Sequence, residues 1–191
     1  KLPLPPGCLP TLWKNDDRFI AGYLQHFPGY YQTGDGGYLD EEGYCFIMGR
    51  VDDVINVSGH RLSTGEMEEI IAGYPPIAEC AVVGVANELR GQVPVAFVVL
   101  KDGMPLDEHV IEKDLVDIIR DKIGALAVFK TALLVKRLPK TRSGKILRKT
   151  MRLIADNKPY SIPSTIDDPV ILDEIKAALE HKKQERDYTK Y

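Results

Sequence analysis

The chain has 191 residues, 44% hydrophobic and 28% charged, which suits one good-sized domain, or one domain and part of another, and excludes a disordered polymer. Its formal net charge of −3 argues against nucleic acid as the main partner. Three cysteines without a CxxC pair, four scattered histidines and no apolar run near ~18 residues leave no metal knuckle and no membrane helix, and fit a reducing compartment.

Residues 1–49 are rich in turn formers and aromatics, from Pro5-Pro6-Gly7 through Pro28-Gly29-Tyr30-Tyr31 to Thr33-Gly34-Asp35-Gly36-Gly37. The start carries no signal peptide pattern and reads like a chain entered in the middle of a loop. Tyr44 to Met48 looks like a strand after the Asp40-Glu41-Glu42-Gly43 turn, and Val54 to Val57 like a second. Between them lies the charged junction Gly49-Arg50-Val51-Asp52-Asp53, and Ser58-Gly59-His60-Arg61 reads as a tight turn. Ser63-Thr64-Gly65-Glu66 has capping-box spacing, so a helix starts there. Met67, Ile70, Ile71 and Tyr74 follow at helical spacing, and Pro75-Pro76 stops it.

Strands are expected over Ala81 to Val85 and Val93 to Leu100, separated by the polar turn Asn87 to Gly91. A long helix runs from about Asp107 to Ile123 with Ile111, Leu115, Ile118 and Ile119 on one face. A strand at Ala132 to Val135 and an amphipathic helix from Ile146 to Ala155 flank a basic loop. The order is strand, strand, helix, strand, strand, helix, strand, helix: an α+β domain, from about residue 52 to 156. An incomplete piece (1–51) precedes it. A polar tail (157–191) follows, with one helix headed by Asp168-Pro169, proline taking the first helical position.

The basic loop is the sharpest chemical signal. From Lys136 to Arg152 there are eight Lys or Arg and no Asp or Glu, on a net acidic chain. Such an island needs a local anion, and Gly144 beside Lys145 lets backbone approach a ligand closely. The segment Pro139-Lys140-Thr141-Arg142-Ser143-Gly144-Lys145-Ile146 fails the Walker pattern at Pro139 and Ile146. A phosphate-bearing ligand and a solvated basic loop both fit it. Asp35 between glycines suits vicinal hydroxyls, as in ribose recognition, or a plain turn. Arg50 and Arg61 offer rigid forks for phosphate or ribose oxygens, or simple surface pairing. Arg120 lies off the apolar stripe of its helix, where a solvated face is the bland alternative. Cys45 and Cys80 read as small core residues.

Four runs in order resemble the AMP-forming acyl-CoA synthetases of the adenylate-forming superfamily. They are Tyr31 to Gly36, Gly49 to Arg61, Glu79 to Gly84, and Leu138 to Ile146. The SGHR form, the PKTRSGK loop and the tail Ile162 to Pro169 are most similar to the short-chain branch, the acetyl- and propionyl-CoA synthetases. The likeness covers roughly residues 1–180.

The resemblance implies a C-terminal part: the end of a large AMP-binding domain, then a small mobile domain with a short hairpin and a small mixed sheet flanked by helices. It implies ATP and CoA as cosubstrates, Mg2+ arriving with ATP, a short-chain carboxylate, and AMP and pyrophosphate as products. Lys145 would match the adenylation lysine. Asp35, Arg50 and Arg61 would hold ATP and AMP; Ser58, Gly59 and Arg120 would hold CoA; Asp52 would be the hinge. Tyr74 stands where some relatives carry a metal-associated His, so no metal site is assigned. The phosphate loop and acyl pocket belong to the large domain, so the isolated chain is expected to be inactive and to pack on that missing domain. The mitochondrial matrix is the implied compartment, the cytosol the alternative. Two other readings stay open: a ligase of the same superfamily with a different acceptor, and a non-catalytic anion- or RNA-binding module.

Overall fold

The computed structural model describes residues 2–104, 107–185 and 189. It divides into two compact units, Lys1–Asp52 and Asp53–Tyr191. The first holds a short helix, α1 (Asp16–Phe19), an aromatic cluster of Phe19, Tyr23 and Tyr31, and an antiparallel hairpin of β1 (Asp35–Leu39) and β2 (Cys45–Arg50). Cys45 is exposed on β2, not in a core as expected, because it ends the pairing register opposite Leu39, itself exposed.

The second unit is a five-stranded mixed sheet with helices on both faces. Its elements are β3 (Val54–Val57), β4 (His60–Ser63), α2 (Thr64–Ala72), β5 (Ile77–Asn87), β6 (Gly91–Leu100), α3 (Glu108–Lys122), β7 (Thr131–Leu134), α4 (Arg148–Ala155) and α5 (Ile171–Glu185). The strand order is β4-β3-β6-β5, with β7 parallel beside β6. The described architecture is the expected α+β one. Period-two alternation sends Ala81, Val83, Val85, Val95 and Phe97 to one face, where they bury α4 and α5. Val82, Ala96, Val98 and Ala132 go to the other and bury Met67, Ile71, Ile111, Leu115 and Ile119 of α2 and α3.

Ser63 caps α2 by accepting the Glu66 amide at 3.3 Å, and Asp107 caps α3 by accepting that of His109 at 2.8 Å. The expected SGHR turn is only its first half. Ser58 and Gly59, at φ +50° and +91°, make a two-residue hairpin turn, and His60 and Arg61 already belong to β4. Leu62 is that strand's one core residue, so no alternation announced it. The Asp168 carboxylate caps the last helix through the Val170 amide at 3.0 Å, but regular helix begins at Ile171, after one turn through Pro169.

The outer strands leave amides that side chains must satisfy. On β5, Glu68 accepts the Val82 amide at 2.8 Å and Asp156 accepts that of Ala86 at 2.9 Å. On β7, Glu112 accepts the Ala132 amide at 3.1 Å. Each carboxylate also holds a cation: Arg148 at 2.7 Å from Glu68, Lys158 at 3.0 Å from Asp156, and Lys182 at 3.1 Å from Glu112. Glu68→Ala is expected to destabilise the chain by about 3 kcal/mol, because it strands both Arg148 and the Val82 amide. Glu68→Gln retains an acceptor oxygen and should lose less. Urea unfolding followed by circular dichroism separates the two.

Candidate active site

In the first unit, Asp35 and Arg50 face each other in register across the β1–β2 hairpin. The Arg50 guanidinium donates to the Thr33 carbonyl at 2.7 Å and lies 3.5 Å from Asp35 and 3.4 Å from Asp52. These three expected residues thus meet through one arginine. A Cβ on Gly34 would lie 2.6 Å from that guanidinium, so the arginine's flexible end would have to move, and φ +79° strains any side chain there.

In the second unit, Lys145 sits in a hairpin. The Thr141 amide donates to the Lys145 carbonyl at 2.8 Å, the Lys145 amide to the Thr141 hydroxyl at 3.1 Å, and Leu147 to the Pro139 carbonyl at 2.9 Å. Part of the island of positive charge is answered from within. Arg137 pairs with Asp168 and Glu174, each at 2.7 Å; Lys140 pairs with Glu79 at 2.6 Å; Arg148 pairs with Glu68. Among the described residues the exposed Lys145 ammonium meets no carboxylate. The Arg137 fork, with the Val170 amide foremost for Asp168, holds Asp168 and Glu174 below the usual carboxylate range.

Ser58 and Arg120, 62 positions apart, line one cavity of about 430 Å³ together with His60, Arg90 and Lys130, over an apolar floor that includes Ile119 and Phe129. The lining carries three permanent cations and no carboxylate. His60, Arg90 and Lys130 escaped the sequence reading. Arg90 lay in what read as a plain polar turn, and it comes to the site because the Ser58 amide donates to the Arg90 carbonyl at 2.8 Å. Gly59, whose amide donates to the Asn56 side chain at 3.1 Å, and Arg61, opposite Asn56 on β4, lie outside the cavity lining.

Tyr74 donates to Asp114 at 2.5 Å, and that bond raises its phenol above the ordinary value. Cys80 is half-buried; burial first, then Glu68, pushes its thiol up to about 11, which keeps it un-ionised. Among the described residues no group of His, Cys, Asp and Glu is arranged to hold a metal ion, and no helix is long and apolar enough to cross a membrane.

Residues 66–145 match the AMP-binding enzyme C-terminal domain. Over 95% of the chain, the sequence is 60% identical to an uncharacterized protein of Pseudomonas aeruginosa. It is 52% identical to the bovine mitochondrial acyl-CoA synthetase short-chain family member 3, over 94% of the chain, and 46% identical to the propionate–CoA ligase of Escherichia coli, over 93%. It spans only 29%, 26% and 29% of these three relatives. Solved structures similar to it include ATP-bound MatB from Rhodopseudomonas palustris, with a TM-score of 0.61 at 26% identity. The amide bond synthetase McbA from Marinactinospora thermotolerans has the same TM-score, 0.61, at 28% identity. Each match covers 78% of this chain, and 28% and 31% of the respective partner.

Gly34→Ala is expected to drive the Arg50 guanidinium off the Thr33 carbonyl. A crystal structure of the variant reads this directly; an unmoved Arg50 contradicts it.

Proposed function

We propose that this chain, whose residues 66–145 match the AMP-binding enzyme C-terminal domain, is the C-terminal part of an acid–thiol ligase. The whole protein would activate a short-chain carboxylate of the acetate or propionate class with Mg-ATP, giving an acyl-adenylate and pyrophosphate. The CoA thiol would then take the acyl group and release AMP. The observation that carries this reading is Lys145: its backbone is pinned where the hairpin returns from its turn, and its exposed ammonium meets no carboxylate among the described residues, whereas Arg137, Lys140 and Arg148 are engaged. An ammonium so placed stabilises charge building on a carboxylate and an α-phosphate together.

The other roles are those the family resemblance implies. Asp35 takes the ribose hydroxyls and Arg50 supports them. Arg61 meets the AMP phosphate. Ser58 and Gly59 flank the pantetheine path, and Arg120 takes a CoA phosphate, which the carboxylate-free cavity favours. The Lys145 hairpin packs through Ile146 and Leu147 on the α4–α5 face, whereas the cavity opens beside α3 on the other. One small domain presenting two faces suits two half-reactions separated by rotation about Asp52, the last residue of the first unit. Mg2+ comes with ATP. The relatives are both mitochondrial and bacterial, and we assign no compartment.

The likeness to an amide bond synthetase supports one alternative, an acceptor other than CoA. An RNA-binding role is disfavoured, because internal carboxylates already engage Arg137, Lys140 and Arg148.

In the full-length protein, Lys145→Ala should lower ATP–pyrophosphate exchange by about 100-fold or more yet spare thioester formation from pre-made propionyl-adenylate. Equal loss of both steps contradicts the assignment. Arg120→Ala should weaken CoA binding by about tenfold in calorimetric titration; unchanged CoA affinity favours the other acceptors.

A further inference from the structure

We propose that residues 165–167 form a strap that sets the position of the Lys145 hairpin, and that Arg137 is the positioning residue that holds the strap in place. The inference rests on Lys145 acting in adenylate formation.

The hairpin is closed by the Lys140–Ile146 bridge, and its outer side is not left to solvent. Thr141 bridges antiparallel to Ile166. The Arg142 amide donates to the Thr165 carbonyl and the Asp167 amide to the Lys140 carbonyl, each at 2.9 Å. Three short extended segments therefore run side by side, with 140–142 in the middle. Ile166, 6% exposed, roots the strap in the same apolar cluster as Met151 and Leu172.

Arg137 stands two residues before Pro139, where the hairpin begins. Its fork reaches Asp168, the residue after the strap, and Glu174, in the first turn of α5. One rigid planar group thus ties the entry of the hairpin to the exit of the strap. The three side chains remain 40–44% exposed, so the network adds little to stability. Ile171, Leu172, Ile175 and Leu179 hold α5 to the core without it. What a half-exposed fork supplies here is orientation. The Lys145 ammonium has no side-chain partner among the described residues, so only its backbone fixes where the charge lies. Reaction rates fall steeply when a catalytic group moves by an ångström.

The test uses the full-length protein. Arg137→Ala should lower the kcat of ATP–pyrophosphate exchange by about 10- to 100-fold, with KM for ATP and propionate unchanged. Thioester formation from pre-made propionyl-adenylate and the urea unfolding midpoint should stay as in the parent. Arg137→Lys should recover the rate only in part, because a point charge cannot fork. Asp167→Pro removes the strap's own donor, leaves Arg137 intact, and should show the same split; it carries the test if Arg137→Ala does not fold. Unchanged exchange, or equal loss of both half-reactions, or a loss that follows a lowered unfolding midpoint, overturns the strap. Lys145→Ala in the same exchange assay separates the two ideas. Normal exchange there sinks the functional reading, while its loss beside normal exchange in Arg137→Ala and Asp167→Pro sinks the strap alone.

Discussion

The unpaired amides along the outer strands of the sheet organise the second unit. A buried amide without an acceptor is costly, and β5 and β7 each have a side that no strand covers among the described residues. Glu68 and Glu112, from helices on one face, reach around to cap Val82 and Ala132. Their side chains keep only 16% and 14% of their exposure, so each carboxylate needs a counter-charge. The counter-charges come from helices on the opposite face: Arg148 at the start of α4, and Lys182 in α5. At these two edges the two helical layers are thus tied together. Lys182 shows the balance. Burial works against its charge, but Glu112, Glu108 and Glu185 outweigh it and hold the ammonium above its ordinary value.

This arrangement explains the uneven fate of the basic segment. Arg137, Lys140 and Arg148 are structural cations, each recruited by a carboxylate distant in the chain. Lys145 has no such carboxylate among the described residues, yet its backbone is held in place. The hairpin is gripped by its own ladder and by the neighbouring extended segment, so the free charge sits on a fixed mount. A lone lysine on a loose loop would lose its directional value to chain entropy.

The cavity beside α3 follows another logic. It gathers charge by bringing turns together rather than by one run of residues. The positive φ at Ser58 lets the β3–β4 turn fold tightly, and the Ser58 amide then fastens it to the β5–β6 turn at Arg90. Arg120 and Lys130 enter from the end of α3 and the segment before β7. The cations have no carboxylate among the lining, unlike those of the Lys145 segment.

The sequence by itself determined the elements, because hydrophobic period, capping residues and prolines act within a few positions of one another. Ser63 and Asp107 announced α2 and α3, and Pro75-Pro76 the end of the first. The loop around Lys145 was legible for the same reason: its charge and glycine are contiguous. β4 was not, since a four-residue strand with one core residue has no period to show. Only the tertiary structure decided which cations are spent on carboxylates and which remain free. Glu68 and Arg148 are 80 positions apart, Glu79 and Lys140 61 apart, and Ser58 and Arg120 meet only in the folded cavity. Pairing of that kind depends on which strand edges and helix ends the fold brings together, and no local pattern records it.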